Sequence, residues 1–315
     1  MINKNFQETY TKIHQKDITH VFFVVNPMTV IVSRLIIDNL KLSNKNILIV
    51  SFRNTDVTML NYKYLKIRIK KVDRYLERLF FQSPSGNEIL NQINNKKFLV
   101  YASWANRELN WLMKEKNCIG HSYIEEGQGS YMKHVPYSRK NISILQKIKN
   151  NFKNRVNDNE KSGYFFRDDA IAYFGISKDT FPMIQKEKIT IFNDLKPVLD
   201  YYSPKLIGVK NIGLTCAERR LKDNDWKKMI TKLVSKLPKN AVIKPHPSFT
   251  LSDKRYKKLK SITDDVSAKK IDLCSNDVII ELEMLYEKKY LIGPITSLSI
   301  YSRMFGSKFK KIQLY

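Results

Sequence analysis

The stretch 20–40, "HVFFVVNPMTVIVSRLIIDNL", sets the reading of the whole chain. Residues 20–26, "HVFFVVN", are a short apolar run closed by Asn26 and Pro27, the pattern of a strand buried on both faces. Residues 28–40, "MTVIVSRLIIDNL", then read as a helix with its apolar face turned inward. Strand followed by helix is the unit of parallel α/β sheets.

The alternation continues in both directions from there. "NILIVSF" (46–52), "KYLKIRI" (63–69) and "KFLVYAS" (97–103) read as strands, and "NRELNWLMKEK" (106–116) as a helix. "IGHSYIEEG" follows. In the second half "KLIGVKNIGLTC" carries strand signals, "DNDWKKMITKLVSKL" (223–237) reads as a helix, and "NAVIKPHP" (240–247) as a strand ending in a loop. "KYLIGP" (289–294), "TSLSIYSRMFG" (296–306) and "KIQLY" (311–315) complete the pattern. Two prolines and short polar residues in "FNDLKPVLDYYSPK" (192–205) mark a change of domain. The expectation is an α/β protein of two Rossmann-like domains, 1–195 and 196–315, with a ligand cleft at the carboxyl ends of the strands.

Composition narrows the classes. At 315 residues and 43% hydrophobic, the chain is long and apolar enough for packed cores. Cys118, Cys216 and Cys274 lie far apart without a CxxC pair, which argues against a disulfide framework or a zinc ribbon. The opening residues are polar, and no run reaches the roughly 18–20 apolar residues that cross a bilayer. A cytoplasmic protein is expected. The net charge of +26 favours an anionic partner: nucleic acid, a membrane surface or a phosphorylated substrate. The basic segment 139–161, with Ile142, Leu145, Ile148 and Phe152 at helical spacing, and "KFKK" near the end would suit an anionic inner leaflet, and equally a solvated face. No RNP, KH or zinc-finger pattern supports nucleic acid.

Three segments stand at expected strand ends. "EEG" puts Glu125 and Glu126 beside Gly127; strand alternation sends the two side chains to opposite sides, so one can face a cleft as general base while the other holds the turn. "KPHP" frames His246 between Pro245 and Pro247 after Lys244, where the imidazole could meet a phosphate. "GPITS" brings Thr296 and Ser297 to a helix start, which suits either a phosphate or an ordinary cap. In "IIELEML", Glu281 and Glu283 interrupt an apolar run, and a carboxylate there could take ribose hydroxyls. "DND" (223–225) and "RDD" (167–169) have forms that can hold a divalent cation, but helix capping explains the first, and no metal is expected. Walker, Rossmann-glycine, HExxH and GxSxG patterns are absent.

The order "EEG", "HP", "TS" resembles that of bacterial sialyltransferases of the lipooligosaccharide and polysialyltransferase groups, which have the GT-B fold. The tract "GYFFRDDAIAYFGISKDTFP" (163–182) is similar as well. The resemblance implies an inverting, metal-independent and cofactor-free transfer of sialic acid from CMP-sialic acid to a sugar hydroxyl of a surface glycan. It implies Glu125 or Glu126 as base, with Glu125 favoured, and His246, Thr296 and Ser297 on the departing phosphate. Glu281 would hold the ribose and Lys244 would add charge. A related donor such as CMP-Kdo fits the same chemistry.

Overall fold

The computed structural model describes residues 18–52, 55–67, 83–134, 165–215, 223–246, 254–266, 271–275 and 277–312. The basic segment 139–161 lies outside them. The chain divides into two compact units, Met1–Val198 and Leu199–Tyr315.

The first unit is a seven-stranded parallel sheet. Its strands are β1 (Thr19–Val24), β2 (Ile47–Ser51), β3 (Tyr64–Lys66), β4 (Phe98–Ala102), β5 (Cys118–Ile124), β6 (Tyr173–Gly175) and β7 (Ile189–Ile191), in the order β3-β2-β1-β4-β5-β6-β7. Every residue of β1, β2 and β4 is buried, as central parallel strands require. The order reverses between β1 and β4, which makes their carboxyl ends a topological switch point.

Helix α1 (Pro27–Asn39) starts at that point. Asn26 caps it by accepting from the Thr29 N–H, Thr29 reciprocates, and Pro27 occupies the first helical position. The expected inward face proves too narrow a description: Met28 to Ile37 are all buried, so α1 is enclosed nearly all round. Arg34 tolerates this because its guanidinium forks onto Asp38, at 2.9 and 2.5 Å. Helices α2 (Pro84–Ile93) and α3 (Arg107–Leu112) follow α1 in this unit. The apolar core joins Val21 and Phe23 of β1 to Val100 of β4, Tyr123 of β5, Tyr173 of β6, and Phe166 and Phe181 of the 165–181 tract.

The second unit repeats the design with five parallel strands. These are β8 (Asn211–Leu214), β9 (Val242–Lys244), β10 (Asp272–Leu273), β11 (Tyr290–Gly293) and β12 (Lys308–Lys311), ordered β10-β9-β8-β11-β12. Reversal falls between β8 and β11. A short helix α4 (Lys196–Leu199) lies at the junction of the units; α5 (Asp223–Lys236), α6 (Lys254–Val266), α7 (Ile280–Tyr286) and α8 (Leu298–Met304) follow. At Gly293 a side chain is impossible without a shift: a Cβ would lie 2.7 Å from the Leu214 carbonyl oxygen.

Three expectations change. The last described strand is the lysine-rich 308–311, while 313–315 of the expected "KIQLY" lie outside the described residues; it pairs Tyr290 with Lys308 through Gly293 with Lys311, and an edge strand accommodates exposed lysines. Among its described residues, "KYLKIRI" contributes the strand Tyr64–Lys66, at the opposite edge. The strands β6 and β7 and the helix α2 were not read from the sequence at all. Among the described residues no helix is long and apolar enough to cross a membrane.

Candidate functional site

The acidic turn follows β5 directly. Its two carboxylates diverge, as strand alternation requires. Glu125 is completely buried. Its Oε1 accepts from the Tyr131 hydroxyl at 2.7 Å; its Oε2 accepts from the Ile176 N–H at 2.8 Å and the Thr180 hydroxyl at 3.1 Å. Burial, then the Glu125 charge, pushes the Tyr131 hydroxyl pKa far up, so this phenol stays protonated and donating. A buried carboxylate is tolerated only with such donors around it. Glu125 is therefore the turn's internal fastener.

Glu126 is half-buried. Its backbone is held from both sides: Asn26, the α1 cap, donates Nδ2 to the Glu126 carbonyl at 2.6 Å, and the Glu126 N–H donates to Ser130 Oγ at 3.0 Å. Gly127 turns the chain at φ 123°, a region that favours glycine, into the 3-10 turn Gln128–Tyr131. The Phe181 N–H then donates to the Ser130 carbonyl at 2.7 Å. The tract 165–181 thus wraps the turn, supplying the Ile176 N–H and the Thr180 hydroxyl to Glu125. A Cβ built on Gly129 would lie 2.6 Å from Glu126 Oε1 and 3.1 Å from Phe165 Cζ.

His121, on β5, belongs to the core. It is fully buried, edge-on to Tyr123 at 5.0 Å, and neither ring nitrogen has a hydrogen-bond partner among the described residues. Burial depresses its pKa to about 4, against the pull of Asp169, whose Oδ1 lies 3.8 Å from Nε2. Asp169 itself is gripped by Arg167 at 2.8 and 2.5 Å, while Arg167 also donates to Asn110 Oδ1 at 3.0 Å. That ion pair accounts for "RDD". Asp223–Asp225 opens α5, and among the described residues no three His, Cys, Asp or Glu are grouped to hold a metal ion.

In the second unit, His246 follows β9 and is half-buried, its backbone N–H donating to Thr215 Oγ1 at the end of β8, at 2.7 Å. Pro247 lies outside the described residues; Pro245 is buried. Lys244 is only 8% exposed and gives Nζ to the Ser275 carbonyl at 2.9 Å. Glu281, on α7, is 7% exposed. Burial lowers the lysine pKa and raises that of the glutamate, each opposed by the other's charge. Thr296 caps α8 through its Oγ1, which accepts from the Leu298 N–H at 3.3 Å; Ser297 makes no side-chain cap. The structure thus brings His246 to Thr215 and couples Lys244 to Glu281.

Sequence reasoning missed Tyr131, Thr180 and Thr215, whose partners lie up to 55 residues away. It offered Glu283, beside Glu281, as a carboxylate for ribose hydroxyls. That carboxylate is buried and accepts from the Tyr202 hydroxyl, the Lys205 N–H and the Leu206 N–H at 2.6, 2.7 and 3.0 Å, fastening 202–206 to α7.

No family model matches the chain, and no curated protein matches it in sequence. Solved structures match its fold. A Listeria monocytogenes protein provisionally named a UDP-N-acetylglucosamine 2-epimerase aligns over 95% of this chain and 80% of its own, at TM-score 0.54 and 9% identity. The S. aureus MnaA–UDP co-structure aligns over 94% and 80%, at 0.53 and 10%. The Neisseria meningitidis UDP-GlcNAc 2-epimerase bound to UDP-GlcNAc aligns over 94% and 83%, at 0.51 and 13%. Two Rossmann-like units in succession, of the GT-B type, are the architecture that this chain shares with them.

Proposed function

We propose that this chain is a glycosyltransferase that moves a sugar from a CMP-activated acidic donor, CMP-sialic acid foremost, to a hydroxyl of a glycan acceptor. The observation that carries the reading is the division of labour within "EEG": Glu125 is sequestered by three donors, while Glu126 is half-buried at the carboxyl end of β5, tied to the helix cap Asn26. A base must reach the proton it abstracts, so the role passes from Glu125, favoured by the sequence, to Glu126.

In the reaction, Glu126 takes the acceptor hydroxyl proton as that oxygen bonds the anomeric carbon. The bond from anomeric carbon to phosphate oxygen breaks, and its electron pair leaves with CMP, giving inversion. His246 offsets the negative charge growing on the phosphate, with Thr296 and Ser297 as further donors. Glu281 meets the ribose hydroxyls, with Lys244 keeping the pocket's charge balanced. No step calls for a metal. The anionic inner leaflet remains our proposed location for the acceptor, given the +26 charge.

A second reading comes from the fold likeness: the aligned structures include one named with UDP and one named with UDP-GlcNAc, so a UDP-sugar donor is the rival. Thermal stabilisation by CMP, UDP and GDP, followed by incubation with CMP-sialic acid, a galactose-terminated acceptor and EDTA, decides between them. CMP-selective stabilisation and a sialylated product are expected. UDP-selective stabilisation would overturn the donor assignment.

A further inference from the structure

We infer that the amino ends of β1, β2 and β3 hold a second binding site, for a small sugar phosphate whose phosphate meets Lys45, Lys63 and Lys96 and whose hydroxyls meet Thr19 and Asn94. A cavity of about 230 Å³ lies there, walled by these residues. It stands at the opposite strand ends from the acidic turn: β1 runs from Thr19, on the cavity wall, toward the α1 cap Asn26, which holds the Glu126 carbonyl. Each lysine stands just ahead of a strand. Lys45 is in the 3-10 turn Asn44–Asn46 before β2, Lys63 directly precedes β3, and Lys96 shortly precedes β4. The strand order β3-β2-β1-β4 therefore gathers the three around one mouth. Their backbone is held in place: the Ile49 N–H donates to the Lys63 carbonyl at 3.0 Å, and the Lys96 N–H donates to the Ile93 carbonyl at 3.3 Å.

The chemistry of the wall selects the ligand. All three lysines are exposed, their ammonium groups make no ion pair or hydrogen bond among the described residues, and no described acidic residue lines the cavity. Three cations gathered without a counter-charge favour an anion, and a phosphate offers each of them an oxygen. Thr19 is 8% exposed, and its hydroxyl makes no hydrogen bond to a described residue, so the cavity is where that hydroxyl finds a partner. Helix α2 ends at the cavity, its cap Asn94 turned into the left-handed region at φ 52°. A helix end leaves carbonyl oxygens that accept from hydroxyls and repel a bare anion. Lysines for the phosphate and acceptors for hydroxyls together describe a sugar phosphate. The volume falls below the roughly 300–1,000 Å³ of pockets that take larger ligands, which suits a monosaccharide phosphate and excludes a whole nucleotide.

Titration calorimetry of the full chain with glucose 6-phosphate, inorganic phosphate and glucose tests the site. Glucose 6-phosphate should bind, inorganic phosphate about tenfold more weakly for want of the hydroxyl contacts, and glucose not measurably. The triple variant Lys45→Gln, Lys63→Gln, Lys96→Gln should lose at least about tenfold in affinity, and Thr19→Val about threefold. Lys63→Gln alone carries the test if the triple variant fails to fold. A charge-matched control, Lys186→Gln, Lys228→Gln, Lys236→Gln, removes exposed lysines elsewhere and should bind as the wild type does. No binding to the wild type, unchanged affinity in the folded triple variant, or an equal loss in the control overturns the site. Sedimentation with phosphatidylinositol vesicles but no binding of free glucose 6-phosphate overturns the soluble ligand in favour of a lipid headgroup. None of these outcomes depends on CMP or on Glu126.

Discussion

The Tyr131 hydroxyl donates to Glu125 Oε1 at 2.7 Å, six residues along the same turn. With the Ile176 N–H and the Thr180 hydroxyl it makes Glu125 a structural carboxylate, and our proposal gives the chemistry to its neighbour. Glu125→Gln replaces an acceptor oxygen by an amide donor that faces another donor. We expect a loss of about 2 kcal/mol, a hydrogen bond to a charged group being of that order. Urea unfolding measures it.

Gly129→Ala probes the same turn from outside. Its Cβ would meet Glu126 Oε1 at 2.6 Å and Phe165 Cζ at 3.1 Å. Side-chain ends yield more cheaply than backbone, so stability should drop by only about 1 kcal/mol. Glu126 moves, however, and transfer should fall at least about tenfold, since small misplacements of a catalytic group are costly. Steady-state rates beside a melting curve separate the two effects.

Gly293→Ala has no such escape, because its Cβ would face the Leu214 backbone oxygen at 2.7 Å. Separation of β8 from β11 should cost about 2–3 kcal/mol. A shift of the urea midpoint for the second unit reports it.

His121 makes stability depend on pH. Its folded pKa, about 4, lies below the ordinary 6.5, so the unfolded chain binds the proton first as pH falls. The contribution is whole above pH 6.5 and is lost on the way down to 4. It amounts to about 3 kcal/mol at most. Asp169, with its pKa lowered chiefly by Arg167, loses its own contribution only at still lower pH. Melting curves from pH 7 to 4 should fall for the wild type and flatten over that window for His121→Leu.

The parts of the fold that could be read from sequence are those where burial is continuous. "HVFFVVN" and "KFLVYAS" are largely apolar because β1 and β4 are covered on both faces, and short runs of this kind suit a buried strand. "YFG" and "ITI" are strands of three residues, too short to show a period; the first pairs with β5 and the second with β6. Helix α2 went unread although Ser83 and Pro84 signal its start. Gly86, Asn87 and Asn91 weaken its helical pattern, and that glycine is explained by Trp111, whose Cδ1 would lie 2.3 Å from a Cβ there.

The site divides similarly. Alternation along β5 foretold that Glu125 and Glu126 would part, but not which would be enclosed. That depends on Ile176 and Thr180, more than 50 residues later, and such pairing has no local signature. Glu283 is a similar case: its donors at 202–206 lie about 80 residues away, so one carboxylate in an apolar helix gave no hint of them.

The central claim is that Glu126 takes the acceptor proton while Glu125 does not. Glu125→Gln and Glu126→Gln, assayed side by side for transfer from CMP-sialic acid and for melting temperature, test it most directly. The account predicts that Glu126→Gln lowers kcat at least about a hundredfold with an unchanged melting temperature, while Glu125→Gln melts several degrees lower. Full turnover by a folded Glu126→Gln protein would contradict it.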